Sequence, residues 1–463
     1  MPLGVRPDMA SVLAFDLTRL FVGPVHVTPR GIDRVDFGFA SHFLKDWPGD
    51  CVATLPTPWG VRVVSRKNAL HVVDSVQDHW RETAGAGQMA LFAKVKERLV
   101  NGASAAAAPT RAAPSPSLRI AGAVVKMLRH AGCGFGRPAA AALPKGALYL
   151  NTGQIGIAIP RFLSWLERRP DIRSVFMLHD AIPLEHSEFV PPASRHYHQN
   201  MLAGTARYAS GIVVPSIAAG ASVRRELGRY GRGDIPLLAE QLPIPHGFMQ
   251  GSDIDGELAD TQYFVVTGSI EPRKNHLLLL NVWRDLVARQ GKTAPKLVVV
   301  GTRWRRHPAI TDIIERSSIL QDHVIEVSGL PTPALRRLLS SACALLMPSF
   351  AEGFGLPIIE ALAVGTPVIA SDLPAHREAG GPHATYLSAI DGLGWLSAID
   401  SHVGRPTGLL AKAARYKART WPEYLQRIEP FLTSVSQGSR DGAPAKVRAQ
   451  SPLSPERNAD QFA

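Results

Sequence analysis

Cysteine is nearly absent, with three in 463 residues at Cys51, Cys133 and Cys343. They are scattered, odd in number and without CxxC or zinc-ligand spacing. That argues against a disulfide framework and favours a reducing compartment. Long apolar runs are missing too. None reaches the roughly 18 residues that a membrane-spanning helix requires. Met9–Leu13 is a short apolar stretch, and Asp16 and Arg19 follow it at once, so no secretory leader is expected. The protein is expected to be cytoplasmic. Aromatic residues make up 7% and charged residues 19%, while 45% are apolar, a globular composition that excludes wholesale disorder and a collagen-like chain. At roughly 100–200 residues per domain, the length of 463 predicts two to four domains.

Acidic residues are in short supply, 39 against 51 Lys and Arg, for a net charge of +12. The deficit is local. Residues 1–250 hold 28 basic and 18 acidic groups, and residues 251–463 hold 23 and 21. Residues 81–145 alone carry ten basic groups against Glu82 and Glu97. The middle of that segment, NGASAAAAPTRAAPSPS from Asn101 to Ser117, is linker-like. Helical spacing flanks it on both sides: Leu91, Phe92, Val95 and Leu99 before, then Leu118, Ile120, Val124, Val125 and Leu128 after. Residues 81–145 read as a basic insertion that either packs on its own domain or touches an anionic membrane surface. Nucleic acid is not an expected partner, because no stacking aromatics accompany the charge.

From Leu148 onward, short β-rich runs alternate with helix-competent segments. The runs are Ser174–Leu178, Gly211–Pro215, Tyr263–Thr267, Lys296–Val300, Val324–Val327, Ala342–Met347 and Thr366–Ala370. This is the pattern of α/β domains with parallel sheets covered on both faces. A break near Gly247–Asp260 separates two sets, which predicts two doubly wound, Rossmann-like domains facing a central cleft. Residues 1–250 would form the first, with the insertion at about 81–145. Residues 251–432 would form the second with a closing helix, Ala411–Leu432, and 433–463 a disordered tail. In such sheets ligands bind beyond the carboxyl ends of the strands.

The strongest local signal is PSFAEGFGLPIIE, Pro348–Glu360. A Gly-rich loop (Gly353, Gly355) carries Glu352 and leads into a helix, opened by Pro357, that bears Glu360. Such a loop offers free N–H groups to an anion or a sugar hydroxyl. With the GTPVIASD stretch that follows, the chain resembles the GT-B glycosyltransferases of family 4, the retaining "glycosyl transferases group 1". Glu352–Ser371 matches their EGFGLPxxEAxAxGxPVIAS block. Gly268–Asn275 (GSIEPRKN), Ile244–Gly247 (IPHG), Pro215-Ser216, His179-Asp180 and Arg30–Arg34 (RGIDR) extend the likeness, which covers about Leu148 to Ala411.

The resemblance implies roles for these residues. Glu360 would bind the donor ribose diol, and Glu352 with the N–H groups of Gly353, Phe354 and Gly355, beside Leu356, would hold the donor sugar. Arg273 and Lys274 would meet the diphosphate next to Gly268 and Ser269. His179 would lie near the reacting sugar, with Asp180 orienting it or capping the next turn. Gly31, in the first strand-to-helix loop, would sit under the phosphates. Two positions depart from the family. Ser269 stands where many members have Arg, and Asp33 where small residues are common. Ser216 reads as a helix N-cap. The D-x-D triplet Asp253-Ile254-Asp255 lies in the interdomain linker and is not read as a metal site, and no cofactor is expected.

The function implied is transfer of a hexose from a nucleotide-diphosphate sugar to a glycan or lipid-linked acceptor, with retention, in surface polysaccharide assembly. The enzyme would be cytoplasmic and peripheral on the inner face of the membrane. Two other readings are a glycoside hydrolase or phosphorylase using Glu352 and Glu360 as a pair, and a non-catalytic subunit of a polysaccharide assembly complex.

Overall fold

The computed structural model describes residues 11–23, 29–83, 86–102, 136–303 and 308–438. Two sheets organise the chain. The first contains β1 (Leu13–Asp16), β2 (Cys51–Thr57), β3 (Gly60–Val64), β4 (Leu148–Asn151), β5 (Arg173–Met177), β6 (Gly211–Val214) and β7 (Leu237–Ala239). The second contains β8 (Tyr263–Thr267), β9 (Lys296–Val300), β10 (Val324–Val327), β11 (Ala344–Met347), β12 (Val368–Ser371) and β13 (Thr385–Leu387). Their orders are β3-β2-β1-β4-β5-β6-β7 and β10-β9-β8-β11-β12-β13. Every pairing is parallel except the β2–β3 hairpin. Each sheet reverses direction once, between β1 and β4 and between β8 and β11. Those switch points open crevices at the carboxyl ends of the strands.

The strands lack alternation because both of their faces are buried. Phe15, Leu150, Val175 and Met177 pack on one side of the first sheet, and Ala14, Tyr149, Phe176 and Leu178 on the other. In the second sheet Val265, Leu345 and Met347 share a core with that first group, while Phe264, Val266 and Leu346 face away. One apolar cluster therefore runs without a break from sheet to sheet.

Two helices complete this shared core. Ala86–Asn101 carries the first basic amphipathic stripe, and its Leu91, Phe92, Val95 and Leu99 are buried beside Ile325, Leu335 and Leu338 of the second domain. Lys96 bonds Glu257 at 2.7 Å, and Lys296 donates to the carbonyls of Arg98 (2.6 Å) and Leu99 (2.9 Å). The apolar face of this helix is covered by protein and is not free for lipid. The second stripe, 118–129, lies outside the described residues.

The expected closing helix is two helices, Thr407–Ala414 and Trp421–Gln437. The second begins at a capping box between Thr420 and Glu423 and runs five residues beyond the expected Leu432. It returns to the first domain, where the rings of Trp421 and Tyr424 meet Phe39 at 5.9 and 5.7 Å. Gly38 leaves the room, since a Cβ there would lie 1.9 Å from the Trp421 ring. In the linker, Asp253 pairs with Arg336 at 3.1 Å and Asp255 with Lys96 at 3.6 Å, so the D-x-D carboxylates serve packing contacts.

Candidate functional site

Gly268 follows β8 with φ +135°, a backbone state suited to glycine. Its carbonyl passes so close to Gly301 that a Cβ on Gly301 would lie 1.8 Å away. Pro272–Lys274 forms one tight turn, ended by Asn275 in the left-handed region. The Asn275 amide donates to the carbonyls of Pro348 (3.1 Å) and Ala389 (2.8 Å), tying this turn to the end of β11.

The clamp places Arg273 and Lys274 on Glu352. Arg273 reaches Glu352 Oε2 at 2.9 Å, Glu271 at 2.8 Å and the Ala351 carbonyl at 2.7 Å. Lys274 and the Ser349 hydroxyl both donate to Glu352 Oε1. Burial pushes the Glu352 carboxyl up, but the Arg273 and Lys274 charges outweigh it and hold the group well below the usual carboxylate range. Behind this cluster His376 is fully buried, its ring Nδ1–H donating to the Ser371 carbonyl at 2.9 Å. The residues among which the resemblance divides sugar and phosphate thus form one ion-pair cluster.

Gly355, at φ +118°, opens helix Leu356–Ala363 with Pro in its first turn, and that helix buries Glu360. Glu360 pairs with Arg34 from the other domain. Burial raises the Glu360 carboxyl and the Arg34 charge opposes the rise. Glu352 and Glu360 therefore sit in separate ion pairs, unlike two carboxylates flanking one bond.

Arg34 lies on helix Gly31–Ser41. Gly31 is the first residue of this helix, not part of a loop directly after β1, because a short helix, Thr18–Val22, follows β1 first. A Cβ on Gly31 would stand 3.1 Å from Leu356. Asp33 accepts the Arg30 N–H at 2.9 Å and the Arg19 guanidinium at 2.8 Å, so its carboxylate caps its own helix and fixes Arg19.

His179 stands two residues beyond β5 and is 7% exposed. Its Nε2 is 3.3 Å from the Thr152 carbonyl, which can only accept, so Nε2 carries the proton and Nδ1 the lone pair. Burial, with the Arg19 charge adding, pushes its pKa down to about 3, which leaves a neutral imidazole at physiological pH. The Thr152 hydroxyl in turn donates to buried Asp36, whose pKa burial raises to about 7. Asp180 accepts the Ile182 N–H at 3.1 Å and so caps the next turn.

Ser216 does cap helix Ile217–Gly228, and its hydroxyl also donates to the Gly353 carbonyl. A Cβ on Gly353 would lie 2.4 Å from the His179 carbonyl. Glu378 crosses the same joint to accept the N–H groups of Ile217 (2.7 Å) and Ala218 (2.8 Å).

These elements enclose a cleft of about 940 Å³. All thirteen residues singled out from the sequence for catalysis, donor binding or the phosphate loop line it: Gly31, His179, Asp180, Gly268, Ser269, Arg273, Lys274, Glu352, Gly353, Phe354, Gly355, Leu356 and Glu360. Sequence reasoning missed Arg19, Arg30, Arg34, Glu271 and Arg303, which also line it. RGIDR contains two of these, but nothing local in the motif says which side chain crosses the cleft. Among the described residues no group of three or more His, Cys, Asp or Glu could hold a metal ion, and no helix is long and apolar enough to cross a membrane.

Residues 261–397 match the family model described as "Glycosyl transferases group 1". The chain is 32% identical over 164 residues to the O-antigen chain mannosyltransferase RfbU of Salmonella typhimurium, 35% of this chain and 44% of that protein. It is 25% identical over 229 residues to the serotype-specific mannosyltransferase WbdA of Escherichia coli, 46% of this chain and 28% of that protein. The chain thus spans less than half the length of these relatives. A crystal structure of Anabaena HepE (Alr3699) in complex with UDP superposes with a TM-score of 0.54 and 15% identity, over 92% of this chain and 100% of that one. At that identity the likeness is one of fold, two facing α/β domains of GT-B type.

Proposed function

From the premise that residues 261–397 of this chain are those of a group 1 glycosyl transferase, we propose that the protein moves a hexose from a nucleotide-diphosphate sugar to a glycan or lipid-linked acceptor. The anomeric configuration is retained in the transfer. The observation that carries the reading is the Glu352–Arg273–Lys274 cluster, set in one cleft with Glu360 and His179. The names of the relatives point to mannose as the hexose and to polysaccharide assembly as the setting. In this reading the protein works in the cytoplasm, on the inner face of the membrane that bears its acceptor.

In this reading the bond from the anomeric carbon to the donor phosphate breaks, and negative charge grows on the leaving diphosphate. Arg273 and Lys274 are fixed before the reaction and stabilise that charge without reorganising. The departing phosphate oxygen takes the acceptor proton on the face where the new bond forms, which gives retention. Glu360 accepts the ribose diol, and Glu352 with the loop amides of Gly353–Gly355 holds the sugar. Neutral His179, its Nε2–H committed to the Thr152 carbonyl, can accept a hydrogen bond from a sugar hydroxyl at Nδ1 without adding charge. The reading invokes no metal, since charge stabilisation falls to the two cations.

The test is incubation with GDP-mannose, and with UDP-glucose as a comparator, plus a glycan acceptor, the product's anomeric configuration being read by NMR. Lys274→Ala and Glu360→Ala are expected to abolish transfer or raise the donor KM. Unchanged kinetics in both would sink the assignment. Ser269 favours a second reading, a non-catalytic subunit, because the Arg common at that position is missing. Asp33 no longer favours it, since it serves the helix that carries Arg34. Turnover with any nucleotide-sugar removes this second reading.

A further inference from the structure

Glu360 is 2% exposed, and its charge is opposed across the cleft by Arg34. A buried carboxylate needs such a partner. If the ribose diol takes this carboxylate, as proposed above, the diol competes with the guanidinium for the same oxygens.

Among the other cations of the cleft, exposed Arg30 makes no ion pair with a described residue, and the remaining four are more firmly committed. Arg273 and Arg303 each bridge two carboxylates, Glu271 with Glu352 and Glu315 with Glu326. Lys274 shares Glu352 with Arg273. Arg19 is fixed by Asp33 at 2.8 Å and the Gly153 carbonyl at 2.9 Å. Arg34 has one carboxylate, and a long contact of 3.4 Å to the Pro29 carbonyl. It is the cation that the donor itself would release.

Its destination lies in the same cleft. The first turn of its helix lines the same cleft as Gly268, Ser269 and Lys274. Six cationic side chains and four carboxylates line that cleft, an excess of positive charge suited to a diphosphate. Ser269 leaves the second domain one cation short of its family.

We propose that Arg34 is a ligand of the donor diphosphate, held on Glu360 while the cleft is empty and handed to the phosphates when the ribose claims that carboxylate. The inference rests on the donor reading above. Removing Arg34 then lowers affinity for the phosphates and spares affinity for the nucleoside.

The test is calorimetric titration of the full chain with guanosine and GDP, and with uridine and UDP. The readout is the ratio of nucleoside Kd to nucleoside diphosphate Kd. Arg34→Gln is expected to cut that ratio about tenfold or more, the scale of one charged hydrogen bond, with nucleoside Kd unchanged or tighter. Glu360→Gln is expected to weaken both members of a pair together and keep the ratio. Arg34→Gln leaves Glu360 buried without a partner, so the double variant Arg34→Gln/Glu360→Gln provides a neutral pair. It should show the same loss of ratio against Glu360→Gln alone. A ratio unaffected by removing Arg34, or a parallel loss for nucleoside and diphosphate in the double variant, overturns the proposal. Wild-type protein that binds neither pair overturns the donor reading, and this inference with it.

Discussion

The Ser216 hydroxyl donates to the Gly353 carbonyl at 2.6 Å while accepting the Ala219 N–H at 2.9 Å. One oxygen caps a helix of the first domain and holds the loop of the second that carries Glu352. Ser216→Ala is expected to cost about 1–2 kcal/mol in urea unfolding, a cap and a buried hydrogen bond together. An unchanged midpoint would remove Ser216 from the joint.

Gly353 faces backbone on the other side, its would-be Cβ 2.4 Å from the His179 carbonyl. Neither chain can yield by a side-chain rotation, so Gly353→Ala must part the two loops. A displacement of about 1 Å at the reacting groups is worth on the order of 100-fold in rate. A fall of that order in kcat/KM is expected, and equal kinetics for the two proteins would contradict the close approach.

Glu352→Gln removes the charge that holds two cations. Breaking a buried ion pair typically costs about 3–5 kcal/mol. The carboxyl sits well below the usual range, so its contribution is complete above the unfolded-state pKa and lost only as strong acid titrates the folded protein. The loss of stability should therefore be the same at pH 6 and pH 8. Thermal melts at the two values check it.

Asp36 behaves in the opposite sense. Its folded pKa is raised from 3.8 to about 7, so in that interval the folded protein holds a proton that the unfolded chain has released. Stability of the wild type should fall relative to Asp36→Asn as pH rises from about 4 to 7, by a few kcal/mol at most. His179 titrates in an overlapping window and is common to both proteins, so the difference between them isolates Asp36. Parallel melting curves across this range would refute the assignment.

Val95 lies 1% exposed on the helix that bridges to the second sheet. Val95→Asp would bury an unpaired charge and should lower Tm by many degrees in lipid-free solution. A helix reserved for a membrane surface would tolerate the change, so a small effect on Tm would reopen the lipid reading of this stripe.

The second domain was largely legible because its strands are continuous apolar runs and its cleft-lining residues cluster in two short blocks, Gly268–Asn275 and Pro348–Glu360. The pairing of Lys274 with Glu352 was not legible, since no local period links positions 78 apart in sequence. Arg34 and Glu360 are 326 apart, and only the facing of two sheets brings them together. The β2–β3 hairpin escaped because its strands lie before the alternating pattern becomes regular. Asp33 read as a departure for want of its partners, Arg19 and the Arg30 N–H. The basic helix Ala86–Asn101 shows the limit of charge as a guide. Its lysine at position 96 serves an interdomain contact, which composition alone cannot distinguish from a lipid face.

Helix Trp421–Gln437 packs on Phe39 of the helix whose first turn holds Gly31 and Arg34. A ribosome makes those residues early and their support almost 400 residues later, by the numbering of the chain. Until Trp421–Gln437 emerges, the Gly31–Ser41 helix lacks the rings that cover its Phe39. A chain interrupted before Trp421 therefore carries every residue that lines the cleft and still lacks the contacts that hold the Gly31–Ser41 helix in place.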